Sequence, residues 1–176
     1  MSKLYVDFTV TELSAGLASG EITAEELAIE VLERCERHSD LRALISQDPE
    51  ALLCSARQAD QLQASGAVLG PLHGIPLVIK DNIDSLGLPT SGGTPALEND
   101  VPQHNAPSLQ RLLNAGALVA GKGNLHELAV GGTSDNLYFG RVKNPYRREL
   151  NAGGSSGGPA AAVAARLVPA ALGTGT

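Results

Sequence analysis

Residues 70–84 read GPLHGIPLVIKDNID. Pro76 to Ile79 form an unbroken apolar run that ends abruptly in Lys80, Asp81 and Asn82. A run without polar alternation predicts a buried strand that delivers the charged residues after it to one end of a sheet. A second run, ALVAGKG at 117–123, follows a short helical pattern, SLQRLLNAG at 108–116, that Gly116 stops. Downstream, GPAAAVAARLV at 158–168 predicts a small-residue helix with Pro159 at its start. PAALGTGT at 169–176 then heads into a further strand. Strands alternating with helices are the pattern of an α/β fold.

Upstream of residue 70 the pattern is mainly helical. Residues 9–12 (TVTE) and 23–26 (TAEE) each have the form of a capping box, in which Thr and Glu satisfy each other's exposed backbone donors. Ile22 and Leu27 are placed to staple the second helix start. Leu27, Val31 and Cys35 follow at four-residue spacing, one apolar stripe on a helix that should end near His38. LRALI at 41–45 predicts a short strand. Asp48-Pro49 starts another helix through Leu52, Leu53 and Ala56 toward Leu62, broken by Ser65-Gly66. Residues 87–100 and 124–150 read as loops, the second polar and irregular with a turn at Asn144-Pro145. The expected layout is one domain, with a mainly helical region over 1–66 and the start of an α/β core over 67–176.

The chain has 176 residues, of which 43% are hydrophobic and 18% charged, so it is globular rather than disordered. Its net charge of -6 disfavours a nucleic-acid surface. The sequence contains no apolar run long enough for a bilayer and no signal-peptide core near its start, which makes the cytoplasm the expected compartment. Cys35 and Cys54, both among aliphatics in helical patterns, are expected to be two buried free thiols.

Several chemistries fail on pattern. Residues 116–123 nearly fit the phosphate-loop spacing GxxxxGK[ST], but Gly123 stands where the Ser or Thr is needed. The intervening residues also look like strand, whereas a phosphate cradle is a loop opening a helix. Lys122 is therefore expected at a strand end, serving solubility or local hydrogen bonding. His38, His73, His104 and His126 lack zinc spacing, and His126-Glu127 lacks the second His of HExxH, so no metal and no cofactor is expected. The sequence also offers no convincing Ser-His-Asp triad.

Two features remain. Lys80, held at the edge of a core, loses hydration; its pKa falls and a neutral amine becomes available as a base. Residues 151–158 read NAGGSSGG, with Ser155 and Ser156 among four glycines. One reading is a mobile linker. The other is a loop shaped for chemistry, since glycines allow unusual dihedrals and let backbone N–H groups approach a developing oxyanion. The helix that follows at once favours the loop. A hydroxyl is weakly nucleophilic until a base takes its proton, so Lys80 and Ser155 support each other's functional reading.

From about Val10 onward the chain resembles the amidase signature family, the Ser-cisSer-Lys amide hydrolases. The densest matches are GPLHGIPLVIKDNID, GKGNLHELAVGGTSDNLYFGRVKNP between the two motifs, and AGGSSGGPAAAVAARLVPAALGT. The resemblance implies a mixed central sheet flanked by helices. It assigns the base to Lys80 and the bridging serine, after a cis peptide bond, to Ser155. Ser156, Gly153, Gly154 and Thr174 become supporting or substrate-binding residues. In the family the nucleophile is another serine, in a Gly-Gly-Ser turn about two dozen residues after the bridging one, which places it beyond Thr176. The chain is accordingly expected to be the N-terminal part of a longer domain, inactive alone. Two departures stand out: Gly175 where the family commonly has Asp, and Ala152 where it often has Pro. They lean toward a stand-alone amidase for a small aryl or alkyl amide, with a homodimer as a candidate assembly, over the amidase component of a tRNA-dependent amidotransferase. From another class, the chain reads as a non-catalytic interaction module. Tyr138, Phe139 and the loop around Thr94 are candidates for one wall of the substrate pocket, or for structural roles.

Overall fold

A computed structural model describes residues 5–67 and 69–175. Both capping boxes form. The first opens helix α1 (Val10–Ser19) and the second opens α2 (Ala24–Arg37), each with Thr accepting from the N3 amide and Glu reaching back. Helix α3 (Pro49–Ala64) starts on Asp48, whose side chain accepts from the Ala51 amide, with Pro49 in its first turn. Helices α4 (Pro107–Asn114) and α5 (Gly157–Ala164) are short. Helix α5 begins at Gly157, so Pro159 lies within its first turn, not at its first position.

The strands are β1 (Leu44–Ser46), β2 (Pro76–Lys80), β3 (Leu118–Gly123) and β4 (Ala170–Leu172). Among the described residues they form one sheet in the order β1-β3-β2-β4. Strand β1 runs antiparallel to β3, while β2 is parallel to both β3 and β4. The fold is therefore α/β with a mixed sheet. The predicted strand over 41–45 starts later, at Leu44. Its first residue, Leu41, instead ends a 3-10 turn (Ser39–Leu41) and is fully buried there.

Every residue of β2 is buried, as its unbroken apolar run requires. Helix α2 packs on α3, and both touch β3; α5 packs on β2, β3 and β4. Leu13, Leu17, Leu27, Val31, Leu52, Val78, Ile79 and Leu109 belong to a single core. In α3 the buried residues Leu52, Ala56 and Ala59 share one face. Cys54 is two residues off that stripe and is exposed, correcting the expectation of two buried thiols; Cys35 is buried, and both are free. No described helix is long and apolar enough to cross a membrane.

Because β2, β3 and β4 are mutually parallel along β2, their carboxyl ends lie at the same edge of the sheet. In open α/β sheets that edge is where ligands bind. Lys80 is the last residue of β2, and Thr174 lies two residues past β4.

Candidate active site

Lys80 is fully buried, and its Nζ lies in hydrogen-bond contact with Ser155 Oγ at 2.7 Å. The same Nζ is 2.7 Å from Thr174 Oγ1 and 3.5 Å from the Thr174 carbonyl oxygen. Burial holds the Lys80 amine below the ordinary lysine pKa. Three segments distant in sequence thus meet on one nitrogen: the end of β2, the glycine loop before α5, and the tail of β4.

The glycine loop is not a linker. The Gly154–Ser155 peptide bond is cis, and Gly153 has φ +77°, a conformation that favours glycine. The Ser155 carbonyl oxygen accepts from the His126 amide at 3.1 Å and from Ser134 Oγ at 3.3 Å. Ser134 Oγ in turn accepts from the Gly157 amide at 3.1 Å. The Gly158 amide donates to the Asn124 carbonyl at 2.8 Å, so the first turn of α5 is anchored to the segment that leaves β3. That approach needs glycine: a Cβ on Gly158 would lie 2.3 Å from the Asn124 oxygen and 2.4 Å from the Ala43 oxygen. Ser156 Oγ donates to the Thr174 carbonyl at 2.9 Å and accepts from the Thr174 amide at 3.2 Å, tying the loop to the tail of β4. Ser155 is buried, whereas Thr174 is exposed among the described residues.

Some groups were not foreseen. Asp81 and Lys122 are both buried and form an ion pair at 3.2 Å beneath the 89–93 loop. Asp81 Oδ2 accepts from the Ser91 amide at 3.0 Å and from the Ser91 hydroxyl. Lys122 Nζ donates to the Pro89 carbonyl at 2.9 Å and to Thr90 Oγ1 at 2.8 Å. Burial still leaves Lys122 below its ordinary pKa, against the upward pull of Asp81. This corrects the solubility reading of Lys122; the local hydrogen-bonding reading holds. Residues 116–123 likewise run into β3 itself, so the phosphate-loop spacing there describes a strand.

The segment 124–150 is irregular but organised by buried amides. Asn124 Nδ2 donates to the Arg42 and Gly140 carbonyls, each at 2.9 Å. Asn136 Nδ2 donates to Gly93 O at 2.7 Å, and its Oδ1 accepts from the Tyr138 and Phe139 amides. Tyr138 donates its hydroxyl to Glu98 at 2.5 Å and meets the Phe139 ring edge-on at 4.8 Å. Thr94 leads into the 3-10 turn Pro95–Leu97. His73, one of the scattered histidines, is buried with Nε2 on the Ala59 carbonyl at 3.0 Å.

A family model for amidases matches residues 26–176. The A component of the glutamyl-tRNA(Gln) amidotransferase of Chromohalobacter salexigens is 44% identical over 171 residues, covering 97% of this chain and 35% of that protein. The crystal structure of native peptide amidase from Stenotrophomonas maltophilia superposes with a TM-score of 0.87 at 38% identity, over 95% of this chain and 36% of that one. A bacterial aryl acylamidase of the amidase signature family gives a TM-score of 0.89 at 28% identity, over 93% of this chain and 34% of that one. The chain thus spans about a third of the length of these relatives. With a family match over most of its length, this chain belongs to the amidase signature family.

Proposed function

We propose that this chain supplies the base and bridging serine of an enzyme that hydrolyses a carboxylic acid amide to the acid plus ammonia or an amine. The observation that carries this reading is the buried 2.7 Å contact between Lys80 Nζ and Ser155 Oγ. Burial favours the neutral amine, which is the form that accepts a proton. Lys80 takes the Ser155 hydroxyl proton as Ser155 takes one from the nucleophilic serine. By family pattern that serine lies beyond Thr176. Its oxygen attacks the amide carbonyl, and backbone N–H groups hold the oxyanion. The relay then runs backward: Ser155 protonates the leaving nitrogen and Lys80 reprotonates Ser155. Water, activated through the same pair, releases the acid from the acyl-enzyme. Ser156, Gly153 and Gly154 shape the loop that presents Ser155, and Thr174, tied to that loop through Ser156, holds Lys80 through its hydroxyl.

In the full-length enzyme, Lys80→Ala and Ser155→Ala should each remove most amide turnover while leaving the protein folded. Turnover at the wild-type rate in Lys80→Ala would overturn the reading.

A second reading keeps the chemistry and changes the setting: the amidase component of an amidotransferase, releasing ammonia from glutamine. The names of the curated relatives, 41–46% identical, favour it. The expected sign is glutaminase activity that rises when the partner proteins and aminoacyl-tRNA are added; amide turnover indifferent to both favours the stand-alone enzyme.

A further inference from the structure

Asn82 lies on the turn after β2, two residues beyond Lys80, and its side-chain Nδ2 donates to Thr174 Oγ1 at 3.2 Å. We propose that Asn82 is a positioning residue that acts through Thr174 to aim the lone pair of neutral Lys80 at Ser155. This rests on the relay reading above and adds to it the element that sets the direction of the proton.

Proton counting carries the inference. A hydroxyl has one hydrogen to donate and two lone pairs to accept with. Thr174 Oγ1 donates to the Gly175 carbonyl at 3.2 Å, which uses its hydrogen. It has Asn82 Nδ2 at 3.2 Å and Lys80 Nζ at 2.7 Å on its lone pairs. An amide nitrogen has only hydrogens to offer, so Asn82 fixes Thr174 as an acceptor. A neutral lysine amine has two hydrogens and one lone pair. One hydrogen is taken by Thr174 Oγ1, and the Thr174 carbonyl, at 3.5 Å, is the acceptor available to the other. The lone pair then faces Ser155 Oγ at 2.7 Å. Ser155 Oγ also has the Gly175 carbonyl at 3.5 Å, a longer contact than the one to Lys80. Without Asn82, only the 3.2 Å contact to the Gly175 carbonyl holds the Thr174 hydrogen, and turning that hydrogen toward the Lys80 lone pair makes it compete with Ser155.

The charged groups nearest Lys80 do not perform this task. Asp81, next in the chain, is engaged with Lys122 of β3 at 3.2 Å. The His126 ring contacts Thr133 Oγ1 through Nδ1 at 3.2 Å. From the glycine loop and the tail of β4 the groups on Lys80 are the neutral Ser155 and Thr174. Burial alone lowers the Lys80 amine's pKa.

The test uses the full-length enzyme and a fluorophosphonate probe, whose labelling rate reports activation of the nucleophile without requiring the natural substrate. Asn82→Ala should label about tenfold more slowly at neutral pH, the size of one lost neutral hydrogen bond. Its acid limb should move to lower pH, because a Thr174 hydroxyl that turns its hydrogen to the Lys80 amine favours the neutral form. Asn82→Asp should move the limb the opposite way, to higher pH, since a carboxylate there favours the charged lysine. Asn82 is exposed, and a merely structural role would lower the melting temperature and leave the limb in place. Wild-type labelling and an unmoved limb in Asn82→Ala overturn the assignment. Lys80→Ala in the same series separates the failures. If it labels at the wild-type rate, the relay itself is wrong. If it is silent while Asn82→Ala is normal, only the role of Asn82 is lost.

Discussion

Replacing Lys122 by methionine keeps most of the apolar stem and removes the ammonium. Lys122 and Asp81 are 0% exposed, so the change strands a carboxylate in the interior next to Lys80 in the chain. Removing one partner of a buried ion pair costs about 3–5 kcal/mol, because the remaining charge is neither paired nor hydrated. Asp81 keeps the Ser91 amide and hydroxyl, which offsets part of that cost. The Pro89 carbonyl and Thr90 Oγ1 lose their donor as well. Asp81→Asn should be costly in the converse sense, leaving the Lys122 ammonium without its counter-charge. The double variant, Asp81→Asn with Lys122→Met, removes both charges and should be more stable than the sum of the single losses allows, by about 1–3 kcal/mol. Unfolding of the full-length enzyme in urea, run as a double-mutant cycle, measures this. Hydrogen exchange locates it: the Ser91 amide, bound to Asp81 Oδ2 at 3.0 Å, should lose protection in the single variants. Strictly additive losses, or unchanged exchange at Ser91, would refute the argument that the pair clamps the 89–93 loop.

Gly158→Ala forces a methyl against the backbone of Asn124 and Ala43, and backbone cannot swing aside as a side chain can. Destabilisation of about 1–3 kcal/mol or more is expected, with loss of activity as α5 is pushed from β3 and carries Ser155 with it; unfolding and turnover measured together check this. The cysteines should differ sharply toward a maleimide followed by peptide mapping. Exposed Cys54 should react readily, while Cys35, buried and with its thiol pKa raised to about 11, should react only on unfolding. Equal labelling of the two in the native protein would contradict the packing of α2.

Local signals were the readable ones. The Thr-Glu boxes at 9–12 and 23–26 act within four residues, and both formed as the sequence predicts. The unbroken runs of β2 and β3 declared their burial. The Lys80 and Ser155 motifs were visible because each has few competing explanations, but their meeting depends on 75 residues of intervening chain. The Asp81–Lys122 pair left no such mark. A buried ion pair and two solvated charges are written with the same letters, and Lys122 also completed most of a phosphate-loop spacing. Cys54 was misplaced because it adjoins Leu52 and Leu53, while the buried stripe of α3 continues through Ala56 and Ala59. Asn82 and Thr174 share a contact across 92 residues that only the parallel pairing of β2 with β4 creates.

The central claim is that Lys80 acts as a neutral base through Ser155, and the pH dependence of fluorophosphonate labelling in the full-length enzyme tests it most directly. A base works only when unprotonated, so labelling should fall as pH drops through the Lys80 pKa. Burial displaces that pKa downward, so the limb should lie below the ordinary lysine value. Lys80→Ala should abolish the limb together with most of the rate. A Lys80→Ala enzyme that labels at the wild-type rate with the same acid limb would contradict the account.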